Sequence, residues 1–288
     1  MDIGIGLPST IPGIPGRLVP EWAAAAEQAG FSSLATIDRI VYGNQETIPT
    51  LAAAAAVTSR IGLTSAVLLA PFRGNGDLLA KQLATIDHLS EGRLTVGIAV
   101  GGREDDYQAT GTDFRRRGQL FDEQLTELKA VWAGDSRGYA GPIGPSPTQA
   151  GGPPLLIGGT AEAAYRRMVE HGAGWISGGG GPEMFAAGAE QARRAWSDGG
   201  RDGQPRLVTL AYAAVGDDAE GHAQRYIGDY YGFLGDFAGR IAAGALTSPE
   251  KLRGAITAFA DAGCDELLLF PCNPDLAQVD QLATATGL

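Results

Sequence analysis

The sequence is poor in the side chains that carry polar chemistry unaided. Among its 288 residues are two cysteines, three histidines and three methionines, and Lys81, Lys129 and Lys251 are the only lysines. Cys264 and Cys272 form neither a Cys-x-x-Cys pair nor half of a zinc site, which argues against a disulfide framework and fits a reducing cytoplasm. His88, His171 and His222 lie far apart, each in or near a segment of helical period, so they compose no metal cluster. The lysines fall in helical segments too, which removes the strand-borne Schiff-base lysine of a barrel aldolase. Neither a Gly-x-Ser-x-Gly elbow nor a Walker-type Gly-Lys-Ser/Thr loop is present, against an α/β-hydrolase or a P-loop enzyme.

Positive charge is also scarce. With 22 Lys and Arg against 33 Asp and Glu, the formal net charge is −11, which opposes general binding to nucleic acid or to anionic membranes. The local run Arg115-Arg116-Arg117 reads either as a solvated face at a helix start or as a phosphate or partner contact. No apolar stretch approaches a membrane span, and the amino-terminal Ile3-Gly4-Ile5-Gly6-Leu7 reads as a strand rather than a signal peptide. The expectation is a cytoplasmic chain that neither crosses nor coats a membrane.

What is abundant is glycine and aliphatic residue in a repeating order. Short runs rich in Val, Ile and Leu recur, each followed by an Ala-rich stretch of helical period, the pattern of βα units on a parallel sheet. Strands are predicted over 2–7, 32–37, 61–69, 94–100, 154–157, 174–177, 207–215 and 266–270. Helices are predicted over 19–29, 48–59, 78–89, 119–131, 161–170 and 182–196, with one long helix after Asp217 and a last one from Leu276. Eight alternations select an α/β fold of the (β/α)8 TIM-barrel type, one domain over 1–288, above an open doubly wound sheet. The Gly/Pro-rich stretch from Gly134 to Pro154 then reads as a long barrel connection rather than a linker. Thr160 is placed as an N-cap, Gly30 and Gly172 just past helix ends, and Pro182 in a first turn.

One junction is especially informative. In Asp87-His88-Leu89-Ser90-Glu91-Gly92-Arg93 a helix stops and a strand starts at once, with Gly92 suited to a left-handed helix terminus and Asp87 and Arg93 placed to pair. This segment resembles the luciferase-like monooxygenase superfamily, and the likeness runs on through 61–71, 97–102, 113–118, the helix ending at Trp132 and 153–160. The resemblance implies an oxidoreductase or monooxygenase that uses FMN or the deazaflavin coenzyme F-420 on a small organic substrate. A flavin or deazaflavin reductase as supplier and a homodimer belong to the same implication.

Site residues follow partly from position and partly from the likeness. Gly158-Gly159-Thr160 ends a strand and opens a helix, which aims unpaired amides at one spot and suits an anion. The resemblance implies that these three hold the cofactor phosphate; a plain tight turn capped by Thr160 is the alternative. It also implies a non-proline cis peptide within Ser65-Ala66-Val67 that backs the cofactor ring, beside Gly101 in a glycine pair that leaves room for it. Asp38 and Arg39 occupy the catalytic place where relatives often carry a carboxylate and a histidine. Arginine stays protonated and cannot shuttle a proton, so an orienting role for Arg39 stands against a structural pair with Asp38. Tyr42, Arg73, Arg103 and Tyr107, on strand-end loops with Phe72, Asp105 and Asp106, are candidate substrate contacts. The glycine run Gly178–Gly181 fits either a close backbone approach to a ligand or a flexible loop. Two other functions stay open: a non-catalytic flavin carrier or partner subunit, and a barrel lyase or isomerase that grips a substrate phosphate at 158–160.

Overall fold

The computed structural model describes all 288 residues. Eight parallel strands, β1 (Asp2–Gly6), β2 (Ser33–Thr36), β3 (Gly62–Leu69), β4 (Leu94–Ala99), β5 (Leu155–Gly158), β6 (Gly174–Ile176), β7 (Arg206–Ala213) and β8 (Glu266–Pro271), close into a barrel in sequence order. Strand β1 pairs with both β2 and β8, which is what closes it. The helices are α1 (Leu18–Ala29), α2 (Thr47–Val57), α3 (Gly76–Leu89), α4 (Glu104–Ala109), α5 (Arg117–Trp132), α6 (Glu162–His171), α7 (Gly181–Asp198), α8 (Ala219–Tyr230), α9 (Asp236–Ala243), α10 (Pro249–Asp261) and α11 (Gln278–Thr286). None is long and apolar enough to cross a membrane.

All eight strands stand within two residues of where the apolar runs put them, whereas the helices depart in two places. The segment after Asp217 is three helices, not one, because Gly235 sits at φ 55° and ψ −132°, a conformation that a residue with a Cβ avoids, and Pro249 then opens a fresh first turn. The stretch containing Asp105, Asp106 and Tyr107 is the short helix α4 rather than loop.

Strand alternation builds two cores. In β1 the outward Ile3, Ile5 and Leu7 pack under the helices, while Gly4 and Gly6 face inward. A Cβ on Gly4 would lie 2.6 Å from Leu268, and one on Gly6 2.4 Å from the Phe270 ring, so the glycines admit the large side chains of β8. At the amino-terminal end the buried Glu266 carboxylate accepts from Ser32 and Ser33 Oγ, both at 2.6 Å, and from Arg206 Nη2 at 2.7 Å.

The α3–β4 junction turns as its sequence demands, with Gly92 at φ +84°, but Asp87 and Arg93 do not pair. Each is claimed by backbone. Asp87 accepts from the Gln149 amide at 3.0 Å and its side chain at 2.7 Å, tying down the long connection before β5. Arg93 donates to the carbonyls of Ala55, Thr58 and Ile61, satisfying the orphan carboxyl end of α2. Thr160 is likewise not a cap: Ala161 holds the N-cap position of α6 and has no side-chain bond to give.

Glu27 illustrates how the helices are tied to strand starts. Its carboxylate accepts the amides of Ser59, Arg60 and Ile61 at 2.9, 2.6 and 2.9 Å. Burial raises its pKa, but those amides outweigh burial and bring it to about 2 from the usual 4.5. Because the folded value is the lower one, the stabilisation is complete above pH 4.5 and is lost as pH falls towards 2. Urea unfolding of Glu27→Gln should therefore show a lower midpoint than the parent at pH 7, with the difference shrinking across that window.

Candidate active site at the carboxyl ends of the strands

The loops after β2, β3 and β4 are locked together by buried carboxylates. Asp38, whose side chain is 0% exposed, accepts the Leu69 amide at 2.9 Å and both oxygens meet Arg73 Nη2 at 2.8 Å. Arg73 also reaches Glu46 at 2.6 Å, so it is part of a buried network. Burial pushes the Asp38 carboxyl up, against the pull of Arg73 and of the Leu69 amide.

Arg39 does not pair with Asp38; side chains of adjacent residues in extended chain point to opposite sides. Its guanidinium, 4% exposed, lies 3.3 Å from Asp106 and 3.7 Å from Asp105 and donates to the Val41 carbonyl at 2.6 Å. It also lies beside the edge-to-face pair of Tyr42 and Tyr230, 5.5 and 5.4 Å from their ring centroids. The other Asp106 oxygen accepts the amides of Ile40 and Val41 at 3.0 and 2.6 Å, so this one carboxylate clamps the β2 loop to α4. Tyr42 donates to Asp229 at 2.6 Å. Arg103 pairs with Asp105 and stacks on Phe233, 3.7 Å from its centroid, which carries the lock across to the segment between α8 and α9. Tyr107 is buried edge-on between Phe72 and Phe114, its hydroxyl on the Val100 carbonyl.

The other half of the mouth is open. The peptide between Ala66 and Val67 is cis, in the segment where the resemblance places one, and the pairing of β3 with β4 shifts between Ser65 and Leu68. Ser65 Oγ donates to the Gly97 carbonyl at 2.8 Å. Gly158 is brought against this segment: a Cβ on it would lie 3.1 Å from Ala99 and 3.4 Å from Val67, so its lack of a side chain lets those two side chains come up to the β5 backbone. Gly101 closes the same side above Leu69.

From Gly159 to Ala163 no backbone amide finds a protein acceptor, and the Thr160 hydroxyl has no partner. Trp175 Nε1 donates to the Gly159 carbonyl at 2.8 Å and fixes the turn. Uncapped amides at the start of a ten-residue helix, next to the small residues Gly158 and Ala99, form a cradle whose chemistry fits a phosphate. Glu162 is the one acidic residue of that first turn.

Sequence reasoning missed Tyr212 and Tyr231, whose hydroxyls lie 3.0 Å apart at the end of β7. Burial pushes both up, so at neutral pH they donate hydrogen bonds and take no proton. The doublet Tyr230-Tyr231 was the available signal, hidden inside what read as an uninterrupted helix.

Residues 1–279 match the family model described as luciferase-like monooxygenase. An uncharacterized protein of Mycobacterium tuberculosis is 34% identical over 175 residues, 58% of this chain and 61% of the relative, so the match spans about three-fifths of that relative's length. The FMNH(2)-dependent dimethylsulfone monooxygenase of Pseudomonas fluorescens is 30% identical over 167 residues, 53% of this chain and 45% of that protein. Among solved structures, an F-420-dependent secondary alcohol dehydrogenase in complex with an F-420–acetone adduct superposes with a TM-score of 0.78 at 16% identity, over 99% of this chain and 98% of the other.

The clamp at Asp106 has a measurable consequence. Removing one partner from a buried ion pair that also holds backbone amides costs about 3–5 kcal/mol, so Asp106→Ala should lower the unfolding free energy by that order in chemical denaturation. Asp105→Ala, whose carboxylate is 38% exposed, should cost under about 1 kcal/mol.

Proposed function

The chain belongs to the luciferase-like monooxygenase family, and from that premise we propose that it holds a reduced flavin or deazaflavin at the open half of the barrel mouth and uses it to oxidise or reduce a small organic substrate. The observation that carries this reading is the meeting of Val67 and Gly158 beside the unpaired amides of 159–163. The cofactor supplies the redox chemistry; FMN and coenzyme F-420 are both represented among the similar proteins.

The residues of this chain have separable parts in that scheme. The amides of 159–163 and the Thr160 hydroxyl bind the phosphate. Ser65, Ala66 and Val67 support the ring from below, and Gly101 and Gly158 leave it room. Asp38 acts as a positioning residue through Arg73 and the Leu69 amide, and Arg39 through Asp106. Arg103 joins the rim above them, while Tyr107 pins the end of β4 from beneath. With no titratable base at position 39, hydrogen bonding to a substrate oxygen falls to the Tyr212–Tyr231 pair inside, while Tyr42 at the rim gives its proton to Asp229. A homodimer, a cytoplasmic setting and a reductase that delivers the reduced cofactor complete the proposal.

Anaerobic titration with reduced FMN and, separately, with reduced coenzyme F-420 tests it. One of the two is expected to bind with a Kd on the order of 1 μM or tighter. Gly158→Leu, which fills the floor between Ala99 and Val67, should weaken that binding by about tenfold or more, equivalent to about 1.4 kcal/mol. Binding of neither, or a Gly158→Leu variant that binds normally, would refute the assignment.

A further inference from the structure

A cavity of about 530 Å³ lies between the end of β6, the inner face of β7 and the segment from α9 to α10. It is apart from the cradle at 158–160, none of whose residues lines it. Its walls are largely apolar, with Met184, Leu210, Leu234 and Leu246 among the aliphatic ones and Phe237 and Phe259 among the aromatic. Tyr212 and Tyr231 line it as well, and in their hydroxyl pair only one proton is used internally, which leaves the other to donate.

The polar part of the lining has one sign. No carboxylate lines the cavity, and its one charged residue is Arg240, whose guanidinium rests 4.9 Å from the Phe237 centroid and pairs with no acid. Gly178–Gly181 complete the wall, and their amides find no protein acceptor. An apolar hollow of this size with aromatic walls, spare donors and an unmatched cation suits a planar apolar body that ends in an anionic oxygen, and it disfavours a cation. We propose that the cavity binds an aromatic carboxylate. Tyr212 packs in the same inner cluster as Ala66, with Val67 against it. Resting on the redox reading above, the bound acid is then the substrate, with its apolar body directed towards the ring.

Calorimetric titration of the cofactor-free protein with three probes of one shape tests the binding: 2-naphthoate, the neutral 2-acetylnaphthalene and the cationic 2-naphthylmethylammonium. The carboxylate should bind at least about tenfold tighter than the ammonium. Arg240→Gln should remove most of that preference while leaving the neutral ketone unchanged, and Met184→Trp, at a position 59% exposed on α7 and so tolerant of exchange, should weaken all three. Equal binding of acid and amine, or indifference of the acid to both variants, overturns the proposal. A repeat with saturating FMN and with saturating coenzyme F-420 separates it from the cofactor assignment. Naphthoate affinity should hold or rise, and competition would overturn the proposal by making the cavity the cofactor's own. If neither cofactor binds while naphthoate does with the stated pattern, the redox reading falls and the carboxylate site stands.

Discussion

A parallel barrel leaves backbone amides without partners where each strand gives way to its loop, and the mouth of this protein is organised by how those amides are treated. At the ends of β2 and β3 buried carboxylates take several of them: Asp38 takes the amide of Leu69, and Asp106 takes those of Ile40 and Val41. After β5 and β6 they are left free, at 159–163 and again along the glycine run at 178–181, whereas after β7 Ala214 donates to the Leu246 carbonyl and Val215 to the Gln278 side chain. The same polar requirement thus yields a rigid half and a receptive half. The rigid half holds its carboxylates so deeply that they meet arginine and backbone, with little left for a ligand.

That division explains the arginine at position 39. A histidine there would titrate near neutrality, and an arginine cannot. Here the guanidinium is matched by Asp105 and Asp106 and enclosed by Tyr42 and Tyr230, so its charge is spent on holding loops together. What can donate a hydrogen bond there is a group that keeps its proton at neutral pH. The tyrosines at the end of β7 meet that condition, because burial disfavours their phenolate forms. An enzyme built so would suit chemistry that needs a hydrogen-bond donor at the substrate oxygen more than chemistry that needs a strong base.

The barrel was legible in the sequence because its signals are local and repeated: an apolar run, a turn, an amphipathic helix, eight times over. The Gly92 turn and the small floor residues at 65–67 and 158 could also be read, since a glycine or a family segment marks each. Pairing could not. Asp87 and Arg93 stand six residues apart and look complementary, yet each is bound to backbone from a distant segment, Gln149 for one and the end of α2 for the other. Asp38 and Arg39 are neighbours that alternate to opposite sides. The glycines and the proline that divide the region after Asp217 were present in the sequence, but a helical composition outweighed them, and with that the tyrosine pair and the cavity wall were lost from view.

Residue size decides where a ligand can go. On the inner face, β7 and β8 carry Tyr212 and Phe270, and β1 answers with Gly4 and Gly6. Across from them β3 to β5 carry Ala66, Gly97 and Gly158; a Cβ on Gly97 would strike the Ser65 carbonyl at 2.1 Å. Small residues let backbone and side chains pack closely on β3 to β5, while aromatic rings supply the bulk on β7 and β8. Room for a ligand is therefore set first by the distribution of small and large residues around the barrel, before any charge or hydrogen bond is considered.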